Sequence, residues 1–455
     1  MESGIKLTTI EKIQQGIVFT VAKLIQILPL MALTMIYTTN QSAESYMPYI
    51  LFYTAVKTGL LLINGFGHVQ NTFRLMQLSL IMSLATLLVL ILSPWEYLTD
   101  VAAFLLGLSA SVILPTYEGV YYHERVVWKW FLQGVEILTL FVTSAVILTL
   151  IAIASHFSYR SVFAIITGFV LVGLVTMMQF KPFAKQVGEP LFVPHTQSLR
   201  NLELFTWTTV MVFGLRYLRF FDQSFAWTII LVAAVGLVAL VSRVLIWRSK
   251  VPGLPSWTVV SAVLNGAYET FLMLYIFLAA HGQTVMISAY VAYGLGMMLA
   301  QIVRRPLQRS FRGMSNLKLQ LLFFGLGAWL TIWPNTLLLG AFVISFFGSA
   351  NSILLNHDVY LTEVSTPAHR LVVKYRSTYL GSILMQFVFI GGMMGLSVVR
   401  DANLAQIMWQ INDATISPAT SQFVRLVGMA TALVLTVLTA WACWRLPDID
   451  ERPLQ

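Results

Sequence analysis

Uncharged apolar stretches recur along the whole 455-residue chain and constrain its fold more than any other feature. A helix needs about 20 residues to cross a bilayer core of roughly 30 Å, and these stretches are of that length. Backbone amides in lipid must be satisfied within the segment, and a barrel would show short alternating strands instead. The sequence therefore predicts an all-α polytopic membrane protein.

The scarcity of charge supports this prediction. Only 10% of the residues are charged and 58% are hydrophobic, whereas a soluble domain carries about 25% charged residues. We therefore expect about fourteen transmembrane helices. The predicted spans lie near residues 15–37, 47–66, 75–93, 99–120, 131–154, 161–180, 202–220, 224–247, 257–280, 285–303, 317–333, 337–356, 377–399 and 423–444.

The basic residues orient these spans. Most of the 28 Lys and Arg residues fall in alternate loops and in the two tails. An excess of Lys and Arg marks the cytoplasmic side, so we expect both termini to be cytoplasmic and the protein to lie in the inner or plasma membrane. The net charge of +9 then reflects topology rather than a nucleic-acid partner. The opposite helix ends carry only Arg160, Arg216, Arg219, Arg400 and Arg425.

Two further features of the chain limit its class. No small-residue cleavage site follows the charged N-terminal segment, so we expect the first span to be retained. The single cysteine, Cys443, excludes a cysteine-ligated metal or redox centre within one chain. We predict no cofactor and no metal.

The spans fall into groups of six, two and six. We predict an N-terminal six-helix bundle at 1–180, a cytoplasmic linker at 181–201, an inserted two-helix hairpin at 202–250 and a C-terminal six-helix bundle at 251–455. Parallel repeats of two six-span halves are a known transporter architecture.

A short motif repeated between the halves supports a duplication. The fourth span of the first half ends in YEGVYYHER (117–125), and the fourth span of the second half ends in HDVYLTEV (357–364). An acidic residue near the helix end opens each motif. The matching Tyr and Glu residues, which keep the same spacing, are Tyr121, Glu124, Tyr360 and Glu363.

The loop between spans two and three reads GFGHVQNTFR (65–74). Gly65 and Arg74 fit the signature of the major facilitator superfamily, whereas Val69 replaces its usual Asp and Thr72 its second Gly. The counterpart RRPLQRSFRG (304–313) keeps only the basic residues. On this loop and the six-two-six order, the chain resembles a fourteen-span branch of that superfamily with a degenerate signature loop.

This resemblance implies two six-helix bundles related by a pseudo-two-fold axis, with an inserted hairpin. It also implies secondary transport by alternating access, in which spans one, two, four and five of each half line a central cavity. Glycine-rich stretches at 294–296 and 391–395 permit either close helix approach or a kink, and the sequence does not separate the two.

Ionisable residues inside spans are functional candidates because burying them in hydrocarbon costs at least a few kcal/mol. Four such residues lie in the implied lining spans: Lys23, Lys57, Glu136 and Glu269. As alternatives, Lys23 could snorkel to the headgroups, and Glu136 could form a structural ion pair with Lys57 or Lys23. Softer polar residues accompany them, including Asn265. We assign substrate binding to Lys23, Lys57, Glu136, Gln26, Asn351 and Gln386.

Glu269 lies near the middle of span nine with no obvious basic residue at its depth. Burial disfavours the charged form of a carboxyl group, so we predict that Glu269 takes up and releases a coupling proton. The alternative is a satisfied polar residue of the core. Charged residues at the inner helix ends are predicted to gate or latch the bundles: Glu118, Arg125, Asp358 and Arg370.

Other function classes fit less well. The histidines lie at span ends or in loops, and neither an HExxH motif nor a phosphate-binding GxxxxGK[ST] loop occurs, so we predict no enzyme. A receptor or scaffold would not need charges at mid-depth. We predict a proton-coupled carrier for an anionic or amphipathic substrate, with a flippase for a lipid or lipid-linked envelope precursor as the alternative. The expected partners are that substrate and membrane lipids, and we expect a monomer.

Overall fold

The computed structural model of the chain describes twelve stretches of residues. They are 8–40, 43–93, 95–127, 134–179, 190–193, 198–217, 254–279, 283–311, 313–361, 367–404, 406–407 and 417–449. The predicted span at 224–247 lies outside them, as does most of the predicted linker.

Long helices make up nearly all of the described chain. Those of the first half are α1 (Thr9–Leu24), α2 (Leu28–Asn40), α3 (Ala43–Phe66), α4 (Thr72–Leu92), α5 (Glu96–Val127), α6 (Gly134–Ser155), α7 (Tyr159–Met178) and α8 (Ser198–Tyr217). Those of the second half are α9 (Ser256–Ala279), α10 (Gln283–Ser310), α11 (Asn316–Ile332), α12 (Leu337–Leu361), α13 (Pro367–Val399) and α14 (Pro418–Arg445). A 3-10 turn, Pro334–Thr336, precedes α12.

The protein is an all-α multi-pass membrane protein, which confirms the predicted fold class. Within the described residues, nine helices are long and apolar enough to span a bilayer, and α1 with α2 makes a tenth if the bent pair is one span. Helix α11 is apolar but shorter, and α8 and α10 do not meet the same test. Every predicted span except 224–247 coincides with a helix, while the count of fourteen stays a prediction.

The first span is bent by 42° between α1 and α2. A capping box at Thr8 and Glu11 starts α1, because the two side chains satisfy backbone N–H groups that the first turn leaves open. Residues 25–27 form a turn between the two helices. Pro29 follows at once and has no N–H to continue the helical ladder, which accounts for the break.

The chain divides into two compact units. Unit 1 comprises Met1–Phe213 with Ser365–Val373, and unit 2 comprises Gly214–Val364 with Lys374–Gln455. Equivalent helices are neighbours inside each unit. Helices α3 and α5 pack together as α10 and α12 do, α4 packs on α5 and α7 as α11 packs on α12 and α14, and α1 meets α7 as α9 meets α14. The predicted bundle boundaries themselves stay a prediction.

Glycines bring the first helix of each unit close to the fifth. In unit 1, a Cβ on Gly16 of α1 would lie 2.7 Å from the Cβ of Thr139 of α6. In unit 2, a Cβ on Gly266 of α9 would overlap the carbonyl oxygen of Thr378 of α13. By contrast, nothing lies within 4 Å of the Cβ position at Gly391 in the glycine-rich stretch. Of the two glycine-rich stretches, 294–296 contributes a close contact, since a Cβ on Gly296 of α10 would lie 2.6 Å from the carbonyl oxygen of Phe342 of α12, whereas 391–395 contributes none.

The loop between spans two and three, at 65–74, contacts the segment before α8 and the start of α8. Strand β1 (His68–Val69) pairs antiparallel with β2 (Phe192–Val193), and the chain enters β1 through Gly67, whose φ of 130° favours glycine. Asn201 of α8 donates from Nδ2 to the carbonyl oxygen of Asn64 at 3.2 Å. The first helix of the predicted hairpin therefore packs on α3 inside unit 1.

Helix α13 begins ten residues before the predicted span. The sequence places Lys374 and Arg376 in an inner loop because two more charges would break an apolar window. In the structure both residues belong to α13, and the apolar window that qualifies as a span begins at Arg370. The helix continues through both residues, and the Lys374 ammonium donates a hydrogen bond to Ser352 Oγ.

Candidate functional site

An ion pair joins α1 to α5, which are in the first and fourth spans of unit 1. The ammonium Nζ of Lys23 on α1 donates to Oε1 of Glu118 on α5 at 2.6 Å. Only 4% of the Glu118 side chain and 18% of the Lys23 side chain are exposed. A charge-assisted bond of this length in a dry environment is strong. Each partner removes the cost of burying the other.

Aromatic rings surround this pair. The Phe19 ring stacks on Tyr117 with a centroid separation of 5.3 Å and on Tyr121 with one of 5.9 Å. The Lys23 ammonium lies 5.4 Å from the Phe19 centroid, within cation–π range. We call Phe19, Lys23, Tyr117, Glu118 and Tyr121 the ion-pair cluster. Such a set can bind an anionic group through the lysine and an apolar or aromatic group through the rings.

The other predicted substrate residues of unit 1 lie on three different helices or turns. Gln26, in the bend after α1, donates from Nε2 to the carbonyl oxygen of Ala110 on α5 at 3.1 Å. Lys57 on α3 places its ammonium 5.5 Å from the centroid of the Tyr53 ring. Glu136 lies in the first turn of α6 and is 1% exposed. The structure brings Lys23 to Glu118, the residue predicted for gating.

In unit 2, neutral groups join α9 to α12, the first and fourth spans of that unit. Ser261 of α9 and Asn351 of α12 exchange hydrogen bonds of 3.0 and 3.2 Å. Asn351 Nδ2 also donates to Oε1 of Gln320 on α11 at 3.1 Å. One turn along, Asn265 Nδ2 donates to the carbonyl oxygen of Gly348 at 3.1 Å. We call Ser261, Asn265, Gln320, Gly348 and Asn351 the amide cluster.

The remaining predicted residues of unit 2 differ in exposure. Glu269 on α9 is half-buried. Gln386 is fully buried, and its Nε2 donates at 3.4 Å to the carbonyl oxygen of Ser382 one turn earlier in the same helix. Of the predicted gating residues, Asp358 near the end of α12 and Arg370 near the start of α13 are each half-buried. The side chain of Arg125 lies outside the described residues. The roles assigned to all of these side chains stay predictions.

Sequence reasoning missed a buried lysine. Lys374 of α13 is 1% exposed, and its ammonium donates to Ser352 Oγ at 2.7 Å and lies 4.0 Å from the centroid of the Tyr375 ring. The apolar-window rule starts the span at 377 and therefore leaves Lys374 in a loop. Gln320 lies on span eleven, which the resemblance does not place among the cavity-lining spans. The available signal for Gln320 is a polar residue inside a mostly apolar 17-residue helix.

Metal-binding residues do not cluster in the part of the chain that the structure describes. No group of three or more His, Cys, Asp or Glu side chains there could hold a metal ion. What the site offers is an ion pair lined by rings, a neutral amide network, and single charged side chains on span helices. These groups can bind and release a solute or a proton.

The fold is shared with solved membrane transporters. An auto-inhibited POT family peptide transporter has a TM-score of 0.57 and 13% identity, over 98% of this chain and 98% of that chain. The peptide transporter POT in complex with sulfate has a TM-score of 0.56 and 12% identity, over 95% and 93%. A mutant of the nucleoside transporter NupG has a TM-score of 0.51 and 12% identity, over 94% and 99%.

These neighbours are transporters of the major facilitator type, and the all-α polytopic fold that they share with this chain confirms the predicted fold class. At this level of identity the likeness concerns the fold alone. No protein-family model matches the sequence, and no curated protein matches it significantly. The fourteen-span branch and the degenerate signature loop stay predictions.

Proposed function

We propose that the protein is a secondary active transporter that works by alternating access and couples a proton to an anionic or amphipathic substrate. The observation that carries the proposal is the Lys23–Glu118 ion pair, held at 2.6 Å inside the helices of a transporter fold. A buried ion pair contributes little net stability compared with apolar packing of the same volume. Its presence in a span is therefore better explained by function than by folding.

The substrate class follows from the side chains. Lys23 and Lys57 offer ammonium groups on α1 and α3, and each lies within 6 Å of an aromatic ring centroid. An anionic group would compete with Glu118 for Lys23, while an apolar portion of the substrate would pack on Phe19, Tyr117 and Tyr121. The neighbours are named as carriers of peptides and a nucleoside, and this favours a solute carrier over the flippase alternative.

Glu269 is the proposed proton carrier. It is a half-buried carboxyl near the middle of α9, the first helix of unit 2. A carboxyl that meets water alternately from the two sides can bind a proton on one side and release it on the other. Glu136 is fully buried by comparison, and it stays a candidate for substrate binding.

The experiment begins with purified protein. Small carboxylates, phosphate esters and amphipathic anions are screened for an increase in the melting temperature, since a ligand that binds only the folded state stabilises it. The stabilising compound is then used for uptake into proteoliposomes with and without a pH gradient. We expect Glu269→Gln to retain substrate exchange at equal pH and to lose the stimulation by the gradient.

Glu96→Gln is the matched control, because Glu96 is an exposed carboxyl at the start of α5. It should leave gradient-driven uptake unchanged. Full stimulation by the gradient in Glu269→Gln would remove Glu269 as the proton carrier. If no compound of the three classes stabilises the protein or is taken up, the proposed substrate class is wrong.

Location and assembly complete the proposal. We propose an inner or plasma membrane location, cytoplasmic termini and a monomer. The distribution of Lys and Arg supports the orientation, and accessibility of single cysteines introduced at residues 6 and 160 in a Cys443→Ser background would test it.

A further inference from the structure

The amide cluster of unit 2 contains two open hydrogen-bonding atoms. Asn265 Oδ1 and Gln320 Nε2 are fully buried and have no hydrogen-bond partner among the described residues. Both residues are 1% exposed. Their orientations are fixed by their other bonds, because Asn265 must turn its Nδ2 to the Gly348 carbonyl and Gln320 must turn its Oε1 to Asn351 Nδ2.

Open buried polar atoms are costly. A buried donor or acceptor left without a partner costs about 1–3 kcal/mol, and bound water is the usual way in which proteins satisfy such atoms. A Cβ at Gly348 would lie 3.2 Å from Asn265 Oδ1 and 3.5 Å from the Phe324 ring, so a larger residue there would crowd the open acceptor.

The cluster also continues along one face of α9. Thr258, Ser261, Asn265 and Glu269 follow one another at intervals of three or four residues, the spacing of one helix face. The first three are 0%, 0% and 1% exposed, and Thr258 Oγ1 is a further buried atom without a partner in the described chain. At 1.5 Å per residue, this face runs for about 16 Å.

Beyond Glu269 the same face becomes apolar. Leu272 and Ile276 occupy its next positions, and both are fully buried. The polar face of α9 therefore ends at the carboxyl of Glu269.

We propose that the amide cluster is a binding site for water, and that this water extends along the polar face of α9 to Glu269. The cluster selects water over a cation because its five members are all neutral, so a buried ion would lack a counter-charge. Two to four polar partners suit one water molecule. For Glu269 the consequence, which rests on the proposed function, is a supply of water on the side where α9 begins.

Radiolytic hydroxyl labelling tests this directly in the detergent-purified protein. Hydroxyl radicals formed from bound water modify neighbouring side chains, including those that bulk solvent does not reach. Phe324 reports on the cluster, and Leu272, the next residue after Glu269 on the same face of α9, reports on the depth of Glu269. Both are 0% exposed. Phe163 of α7, also 0% exposed, is the matched control ring in unit 1.

We expect Phe324 and Leu272 to be labelled in the wild-type protein and Phe163 to stay unlabelled. In Asn265→Leu, which removes the open acceptor at similar volume, labelling of both side chains should be lost. If Phe324 and Leu272 are as unreactive as Phe163 in the wild type, the water site is overturned. Labelling of Phe324 without Leu272 would overturn the extension to Glu269.

The wild-type comparison decides the question even if Asn265→Leu does not fold. Labelling needs no substrate, so it is independent of the uptake experiment. A labelled cluster together with unaltered gradient-driven uptake in Glu269→Gln would refute the coupling role and leave the water site standing. An unlabelled cluster with lost gradient stimulation would do the reverse.

Discussion

The two units connect the same pair of helices with different chemistry. In unit 1 the first helix meets the fourth through the Lys23–Glu118 ion pair, and in unit 2 it meets the fourth through Asn265, Gly348 and Asn351. The helices surrounding each pair are neighbours in the same order. The contact between the first and fourth spans is therefore charged in unit 1 and neutral in unit 2.

The difference matters because the two kinds of contact respond differently to the loss of one side chain. An ion pair in low dielectric is strong while both charges are present and becomes a liability when one is lost. A network of neutral amides loses only the bonds of the group removed. In the proposed function, an anionic solute replaces Glu118 as the partner of Lys23, whereas water is the proposed ligand of the amide cluster.

Removing one charge of the ion pair is the severest way to break this comparison. Lys23→Met leaves the Glu118 carboxylate buried, with 4% of its side chain exposed. We expect a loss of about 3–5 kcal/mol, as for other buried pairs that lose one partner. Thermal unfolding of the purified protein in detergent measures it as a lower melting temperature.

The double variant Lys23→Met with Glu118→Gln is the control, since no charge then remains uncompensated. Its melting temperature should return most of the way to that of the wild type. If the double variant is as unstable as Lys23→Met alone, the loss comes from packing around Phe19 and not from the charge.

Adding a methyl group at a close helix contact is the next largest disturbance. Gly266→Ala places a Cβ against the Thr378 carbonyl, so α9 and α13 must separate. Overpacking of this kind costs about 1–3 kcal/mol and occasionally more. Gly391→Ala is the matched control on the partner helix, because nothing lies within 4 Å of that Cβ position. Equal melting temperatures for the two variants would contradict the close contact.

The span helices could be predicted from sequence, and their contacts could not. Apolar length and loop charge locate α3, α4, α6 and α7 to within four residues, because lipid imposes both, while α5 continues seven residues past its predicted end. The start of α13 lies ten residues before the predicted one, since a rule based on apolar windows excludes charges such as Lys374 that the fold buries with partners. A polar residue such as Gln320 shows no direction in sequence, so its bond to Asn351 appears only in three dimensions.

The ion pair shows the same limit of prediction from sequence. The sequence indicates both residues as functional candidates, Lys23 for binding and Glu118 for gating. Their pairing depends on how α1 packs against α5, a contact between residues distant in sequence. Periodicity does not predict such a contact, because it specifies a helix face and not the partner of that face.

Removing one side chain of the amide cluster should lower the stability less than removing one charge of the ion pair. Asn351→Leu removes the bonds to Ser261 and Gln320 and leaves their polar atoms buried. We expect a loss of about 1–3 kcal/mol, smaller than that of Lys23→Met, by the same thermal measurement. Ser349→Leu, in which a half-buried residue two positions earlier on α12 is changed, controls for the added bulk. A loss equal to or larger than that of Lys23→Met would contradict the contrast between the units.

A surface ion pair marks the lower end of the scale. Lys318 Nζ, in the first turn of α11, lies 2.8 Å from Oδ1 of Asp448, which follows α14 outside the spans, and its hydrogen bond lowers the pKa of Asp448 from the ordinary value of 3.8. A depressed carboxyl pKa contributes stability that is present above the unfolded pKa and is lost as the pH falls through the folded pKa. The carboxyl is fully exposed, so water and salt screen the pair. We expect Asp448→Asn to leave the melting temperature at pH 7 unchanged within error. A decrease comparable to that of Asn351→Leu would show that this pair stabilises the contact between α11 and the segment after α14, which the Leu317 N–H to Ile449 carbonyl bond of 3.2 Å also joins.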